Sequence, residues 1–171
     1  MLKNKEKEGY EKYTKLFEQL AAVCDQYGFG DFSSYARSKE IYMAAKLGHR
    51  VAKKFSGADA EAPKGEVEYK STTQEKLNGT YSGISVQSTW AEQERYLRND
   101  KIGKYKEHYF GRFDKGILVE CWMLTDKQVL KFAIPLLKAK WKKRKKRPTK
   151  DPRLVFQITE KYIKENGVRV I

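Results

Sequence analysis

Between Gly65 and Thr73 the chain reads "GEVEYKSTT", with Val67 and Tyr69 on one side of an extended backbone and Glu66, Glu68 and Lys70 on the other. A strand with one apolar and one charged face must pair with other strands and lay its apolar side on covering elements, so this stretch commits the chain to a sheet. The flanking patterns supply helices. Residues 2 to 27 carry Leu16, Leu20, Val23 and Cys24 among charges and strong helix formers, a helix stopped by Gly28. Asp31, Ser33 or Ser34 caps a second helix predicted to run to about Phe55. Its buried stripe is Ile41, Ala44, Ala45, Gly48, Val51, Ala52 and Phe55, with Glu40 at the edge and able to reach a neighbouring sheet.

Beyond the strand comes a polar, glycine-containing segment, residues 74–87, then a short helix within "STWAEQERYLRND". "KEHYFGRF" and "GILVECWML" form an antiparallel hairpin turning at Asp114, Lys115 and Gly116. "DKQVLKFAIPLLKAKW" is helical, with Pro135 either a kink or a break. "RLVFQIT" is a strand, "TEKYIKENG" a short helix closed by Gly167, and "VRVI" a terminal extended segment. The expectation is an α/β fold, a central mixed β-sheet flanked by helices, in a single domain over 1–171. N-terminal helices span about 2–55, a sheet core about 56–124 and a basic helical region about 125–171.

Charge narrows the partners. Lys and Arg number 36 against 22 Asp and Glu, a net +14, which favours a polyanion because each neutralised phosphate releases counterions. No apolar stretch approaches the roughly 18 residues that a membrane span needs, so no membrane is expected. "MLKNKEKEGYEKY" lacks the apolar segment of a secretory signal, and a cytoplasmic location is the expectation. Cys24 and Cys121 are too far apart for zinc-site or redox spacing and read as buried apolar residues. His49 and His108 likewise read as structural.

The acids stand out against this basic background. Glu68 and Lys70, two apart on a strand, emerge on the same face about 7 Å apart. A carboxylate and an ammonium so placed can share one substrate phosphate, the acid binding a divalent metal and the lysine steering water and offsetting negative charge. Asp59 lies nine residues before Glu68, far enough for a strand and turn to bring it alongside. Two carboxylates with water and phosphate suit Mg²⁺, and Glu40 could add a third carboxylate. The spacing alone is weak evidence, although Glu68-Tyr69-Lys70 is the only acid-x-lysine triplet in the chain. The plain alternative is a solvent-facing strand carrying a surface ion pair.

Taken together, Glu40, "GADA" and "GEVEYK" resemble the motif of the PD-(D/E)xK nuclease superfamily, and within it the chain looks most like a small type II restriction endonuclease. Ala58 stands before Asp59 where the motif's proline would be, and the likeness covers only Glu40 to Thr73. The resemblance implies a restriction-endonuclease-like core and Mg²⁺-dependent hydrolysis of DNA phosphodiesters. It implies Asp59 and Glu68 as metal ligands, the Tyr69 carbonyl as a third, and Lys70 positioning the attacking water. Glu40 joins Asp59, Glu68 and Lys70 in the expected catalytic set, whereas Glu61 and Glu66 stay outside it. Double-stranded DNA is the expected partner, and cutting both strands of a symmetric site calls for a homodimer. A junction resolvase or repair nickase would share this chemistry. A basic nucleic-acid-binding protein without catalysis, its acids structural, is the alternative from another class.

For DNA contact the sequence offers two groups. The block "KAKWKKRKKRPTK", with Lys142, Lys143, Arg144, Lys145, Lys146 and Arg147, suits phosphates, although a solvated helix end or a nuclear targeting signal would look similar. Gln74, Asn78, Ser82, Ser85 and Gln87 carry side chains suited to base edges, or simply make a polar loop.

Overall fold

The computed structural model describes residues 4–54, 57–146 and 153–171. Helix α1 (Asn4–Tyr27) leads into α2 (Arg37–Leu47) through a turn in which the Asp31 carboxylate accepts from the Ser33 amide at 2.9 Å and from the Ser33 and Ser34 hydroxyls, each at 2.6 Å. Asp31 therefore caps this turn, while α2 starts after Ala36 with no side-chain cap. The helix also stops earlier than the apolar stripe suggests. Gly48 takes the left-handed conformation, φ 70°, and closes α2 at Leu47. Arg50–Val51 then forms a short strand, β1, in place of a continued helix. Met43 and Ala44 are buried, whereas Ala45 faces solvent.

β2 (Ala60–Ala62) and β3 (Gly65–Thr72) make a tight hairpin, with Ala60 opposite Val67 and Ala62 opposite Gly65. β3 pairs on its other edge with β5 (Glu107–Asp114), in parallel, Glu68 beside His108 and Lys70 beside Phe110. A parallel pair needs a crossover. Here it contains β4 (Gly79–Ile84), α3 (Trp90–Tyr96) and a π-helical turn over Leu97–Lys101. α3 is fixed by a capping box, in which Thr89 Oγ1 accepts from the Glu92 amide and Glu92 Oε2 from the Thr89 amide. β5 returns antiparallel into β6 (Ile117–Thr125) through Lys115 and Gly116, at φ 46° and 84°, the two positive angles of a type I′ turn.

α4 (Asp126–Lys146) runs through Pro135 without a break and ends five residues past the predicted limit at Trp141. β7 (Leu154–Ile158), α5 (Glu160–Asn166) and β8 (Val168–Arg169) complete the described chain. The main sheet has six strands in the order β1-β2-β3-β5-β6-β8, mixed as expected, and β4 pairs with β7 as a separate two-stranded sheet. The polar segment 74–87 thus hides a strand, β4, whose Tyr81 and Ile84 are buried.

One side of the main sheet packs Val67, Tyr69, Tyr109 and Cys121 against Met43 and Ala44 of α2. The other buries Phe110 and Leu124 against α4, α5 and the β4–β7 pair, through Leu130, Leu137, Ile163, Tyr81 and Phe156. Glu68 and Lys70 lie on this second side of β3, at the margin where β4 crosses. A Cβ on Gly79 would collide with the Phe110 ring and come within 3.2 Å of Lys70 Cβ, so glycine is what lets β4 pass this close.

Candidate active site

Asp59 immediately precedes β2, and backbone contacts hold it from both sides. Its amide donates to the Val67 carbonyl at 3.1 Å, and its carbonyl accepts from the Ala52 amide at 3.0 Å. Its side chain reaches along β3, where Oδ2 accepts from the Tyr69 amide at 2.7 Å. Within a strand, the N–H and C=O of one residue point to the same edge, so the Tyr69 carbonyl faces the gap that Asp59 occupies. On the charged face of β3, Lys70 Nζ donates to Glu68 Oε1, and both side chains are about four-fifths shielded from solvent.

Burial raises the Asp59 pKa from 3.8 to about 7; the Glu68 charge pushes the same way, the Tyr69 amide opposes it, Glu40 adds to it and Lys70 opposes it. Asp59 thus feels the charges of Glu68, Glu40 and Lys70. Carboxylates crowded in a shielded site repel one another until a cation or proton intervenes. Among the described residues, no three His, Cys, Asp or Glu side chains are gathered as a ready-made cation cluster. The Glu40 Oε2 accepts from Arg37 Nη1 at 3.3 Å, so an arginine already engages this third carboxylate. The donor set that remains, Asp59, Glu68 and the Tyr69 carbonyl, is all hard oxygen and fits Mg²⁺ with water completing its shell.

Two supporting groups escape a side-chain pattern. Arg37 is 1% exposed; its Nε donates to the Phe29 carbonyl at 2.6 Å and its Nη2 to the Ala52 carbonyl. Since the Ala52 amide binds the Asp59 carbonyl, Arg37 ties α2 and Glu40 to the backbone that carries Asp59. On the other side of β3, Lys70 Nζ sits 4.9 Å above the centre of the Tyr81 ring, a cation–π contact. His108 Nε2 lies 3.1 Å from the Ile102 carbonyl, which can only accept, so Nε2 carries the proton and Nδ1 accepts from the Tyr81 hydroxyl at 2.9 Å. Burial holds His108 neutral, its pKa pushed down to about 4. His108 is structural, as its isolation suggests, and it fixes the ring on which Lys70 rests. Tyr81→Phe keeps that ring but orphans a buried nitrogen, so a loss of about 1–3 kcal/mol is expected in urea unfolding, and an unchanged midpoint would contradict the assignment.

A carboxyl whose folded pKa is raised, as that of Asp59 is, binds protons more tightly in the folded state. Its contribution to stability is therefore full below about pH 4 and is lost as pH rises through about 7. A divalent cation needs the ionised form and should reverse that loss. Mg²⁺ is expected to raise the melting temperature more at pH 8 than at pH 6, in wild type and not in Asp59→Asn. An equal Mg²⁺ effect at both pH values would contradict a shared Asp59–cation site.

The remaining acids are spent elsewhere. Glu66 pairs with Lys104 at 3.7 Å and Glu61 with Arg50, which leaves both outside the centre. The polar DNA-contact candidates fall into two places. Asn78 Nδ2 donates to Gln74 Oε1 at 2.8 Å in the loop entering β4, near Lys70. Ser85 and Gln87 lie beyond the far end of β4, about 20 Å away along the strand. There Gln93 ties down both, accepting from the Gln87 amide at 2.9 Å and donating to the Ser85 carbonyl at 3.1 Å. Ser82 is exposed on β4 between the two groups. In the basic block, Lys142 and Lys143 are exposed at the end of α4, and Arg144 Nη2 donates to the Arg153 carbonyl at 2.8 Å. Lys145 and Lys146 continue the helix backbone, and Arg147 lies outside the described residues. Among the described residues, no helix is long and apolar enough to cross a membrane.

No protein-family model matches the chain, and no curated protein matches it in sequence.

Proposed function

We propose that this chain is a Mg²⁺-dependent endonuclease that hydrolyses phosphodiester bonds of double-stranded DNA, acting as a site-specific enzyme of the type II restriction class. The observation that carries the reading is the convergence of Asp59 and Glu68 beside the Lys70 ammonium at one margin of the sheet, with the Asp59 carboxylate locked by the Tyr69 amide. Asp59, Glu68 and the Tyr69 carbonyl would hold Mg²⁺, which would supply Lewis-acid polarisation of the scissile phosphate. Lys70 orients the attacking water and offsets the charge that develops on phosphorus oxygens, as its place next to Glu68 allows. Glu40, braced by Arg37, adds negative charge beside Asp59 and so favours a cation there. The net +14 draws the polyanion in, and two such centres in a homodimer would address the two strands.

The test is to incubate long duplex DNA with the protein and Mg²⁺ and to sequence the fragment ends. Discrete ends sharing one sequence support the restriction reading. A smear would leave a nuclease without site specificity, nicks or branch-dependent cuts a nickase or resolvase. Intact DNA that is retarded in a gel would mean a basic binding protein whose acids are structural.

The exposed end of α4 is assigned to phosphate contact. Replacing Lys142 and Lys143 by Gln should weaken binding to specific and unrelated DNA by similar factors. The slope of log affinity against log salt should become shallower by about 0.9 for each phosphate no longer neutralised. An unchanged slope would mean that these lysines are only solvated.

A further inference from the structure

Helix α1 does not pack like the others. Over 24 residues, some 36 Å of helix, it buries only Cys24. Tyr10, Tyr13, Phe17, Leu20, Cys24 and Tyr27 recur at spacings of three and four, the period that keeps one seam facing a partner helix. Apart from Cys24, these side chains are 40% to 66% exposed. A helix of this kind takes most of its stability from packing on an apolar face, and among the described residues its C-terminal half finds some, through Phe17 on Phe32 at 4.7 Å and Tyr27 on Phe29 at 5.8 Å.

We propose that the α1 seam is the surface on which a second copy of this chain docks, α1 against α1 about a two-fold axis. Three observations select that occupant. Four lysines and five acids lie within α1, so this element is close to neutral in a chain of net +14; it is where two copies repel least and where a polyanion gains nothing. The positions flanking the seam, Gly9, Thr14, Leu16, Ala21 and Val23, carry no charge, so identical copies face one another without like-charge contacts. The exposed apolar side chains would bury on the order of 600 Å² per copy, near the lower end of what a specific pair of proteins buries. Only the purpose of the pairing, two centres for two strands, rests on the endonuclease reading.

The experiment is sedimentation of the full chain at micromolar concentration in moderate salt without DNA. Wild type is expected at twice the mass of one chain. Tyr13→Glu combined with Leu20→Glu, both at exposed positions, is expected at the single-chain mass with its thermal transition retained. Should the charged variant fold poorly, Tyr13→Ala with Leu20→Ala is expected to raise the dissociation constant by about tenfold or more. Wild type at single-chain mass, or a variant that stays paired as tightly as wild type, would overturn the assignment. A monomeric wild type that still cuts DNA with Mg²⁺ would sink this surface and leave the catalytic reading intact. A dimer that dissociates on substitution, in a protein that cuts nothing, would support the surface and sink the catalysis.

Discussion

Glu68→Ala is expected to abolish Mg²⁺-dependent DNA cleavage, by on the order of 10³-fold or more, while leaving DNA affinity within a few-fold of wild type. In the proposed reading Glu68 would supply one of the two carboxylates that hold the cation, and it accepts from Lys70 Nζ, so its loss would empty that site and free the lysine together. The basic surface at the end of α4 is untouched. Asp59→Ala should have the same effect on cleavage by removing the other carboxylate. It differs in stability: in metal-free protein above pH 7 it removes a buried, repelled charge, so its melting temperature is expected to match or exceed that of wild type. Quantitative cleavage and filter-binding assays on the two variants check both halves. Cleavage by either at a tenth of the wild-type rate or faster would remove the residue from the catalytic set.

Arg37→Ala is expected to produce the largest loss of stability of any single charge removal in the described residues, about 3–5 kcal/mol, or about 10 °C in melting temperature for a chain of this size. The side chain is 1% exposed and serves two backbone carbonyls and a carboxylate, so truncation leaves the Phe29 and Ala52 carbonyls and Glu40 short of a donor. Lysine should not rescue it, because one ammonium cannot reproduce a guanidinium fork spread over three acceptors. The Ala52–Asp59 link predicts a functional consequence as well, with residual cleavage falling at temperatures where the variant remains folded. Chemical unfolding that showed a cost below about 1 kcal/mol would contradict the role given to Arg37.

How far the sequence reveals this arrangement depends on the kind of signal each element leaves. β3 and the β5–β6 hairpin are legible because alternation and a Lys115-Gly116 turn are local properties. The placement of Asp59 beside β3 and of Glu68 and Lys70 on one face of it is legible because strand period and a short hairpin fix it locally. β4 is not: "GTYSGI" has two glycines and little alternation, and it is a strand because Tyr81 and Ile84 pack under β7, which arrives some seventy residues later. The end of α2 is ambiguous in sequence because Gly48 fits an apolar stripe as well as it fits a left-handed cap, and pairing of Arg50–Val51 with β2 decides between them. Arg37 and His108 leave no pattern at all, since their decisive partners are the carbonyls of Phe29, Ala52 and Ile102. The separation of Gln74 and Asn78 from Ser85 and Gln87 likewise depends on β4, which lies between them and which spacing in sequence does not show.

One side-by-side assay decides whether the pair of carboxylates beside Lys70 is a cation-dependent cutting centre. Wild type and Glu68→Ala, purified identically, are each incubated with supercoiled plasmid in Mg²⁺ and in chelator. Cut plasmid is expected in the wild-type Mg²⁺ reaction alone. Cutting that survives chelator, or that appears equally with Glu68→Ala, would contradict such a centre.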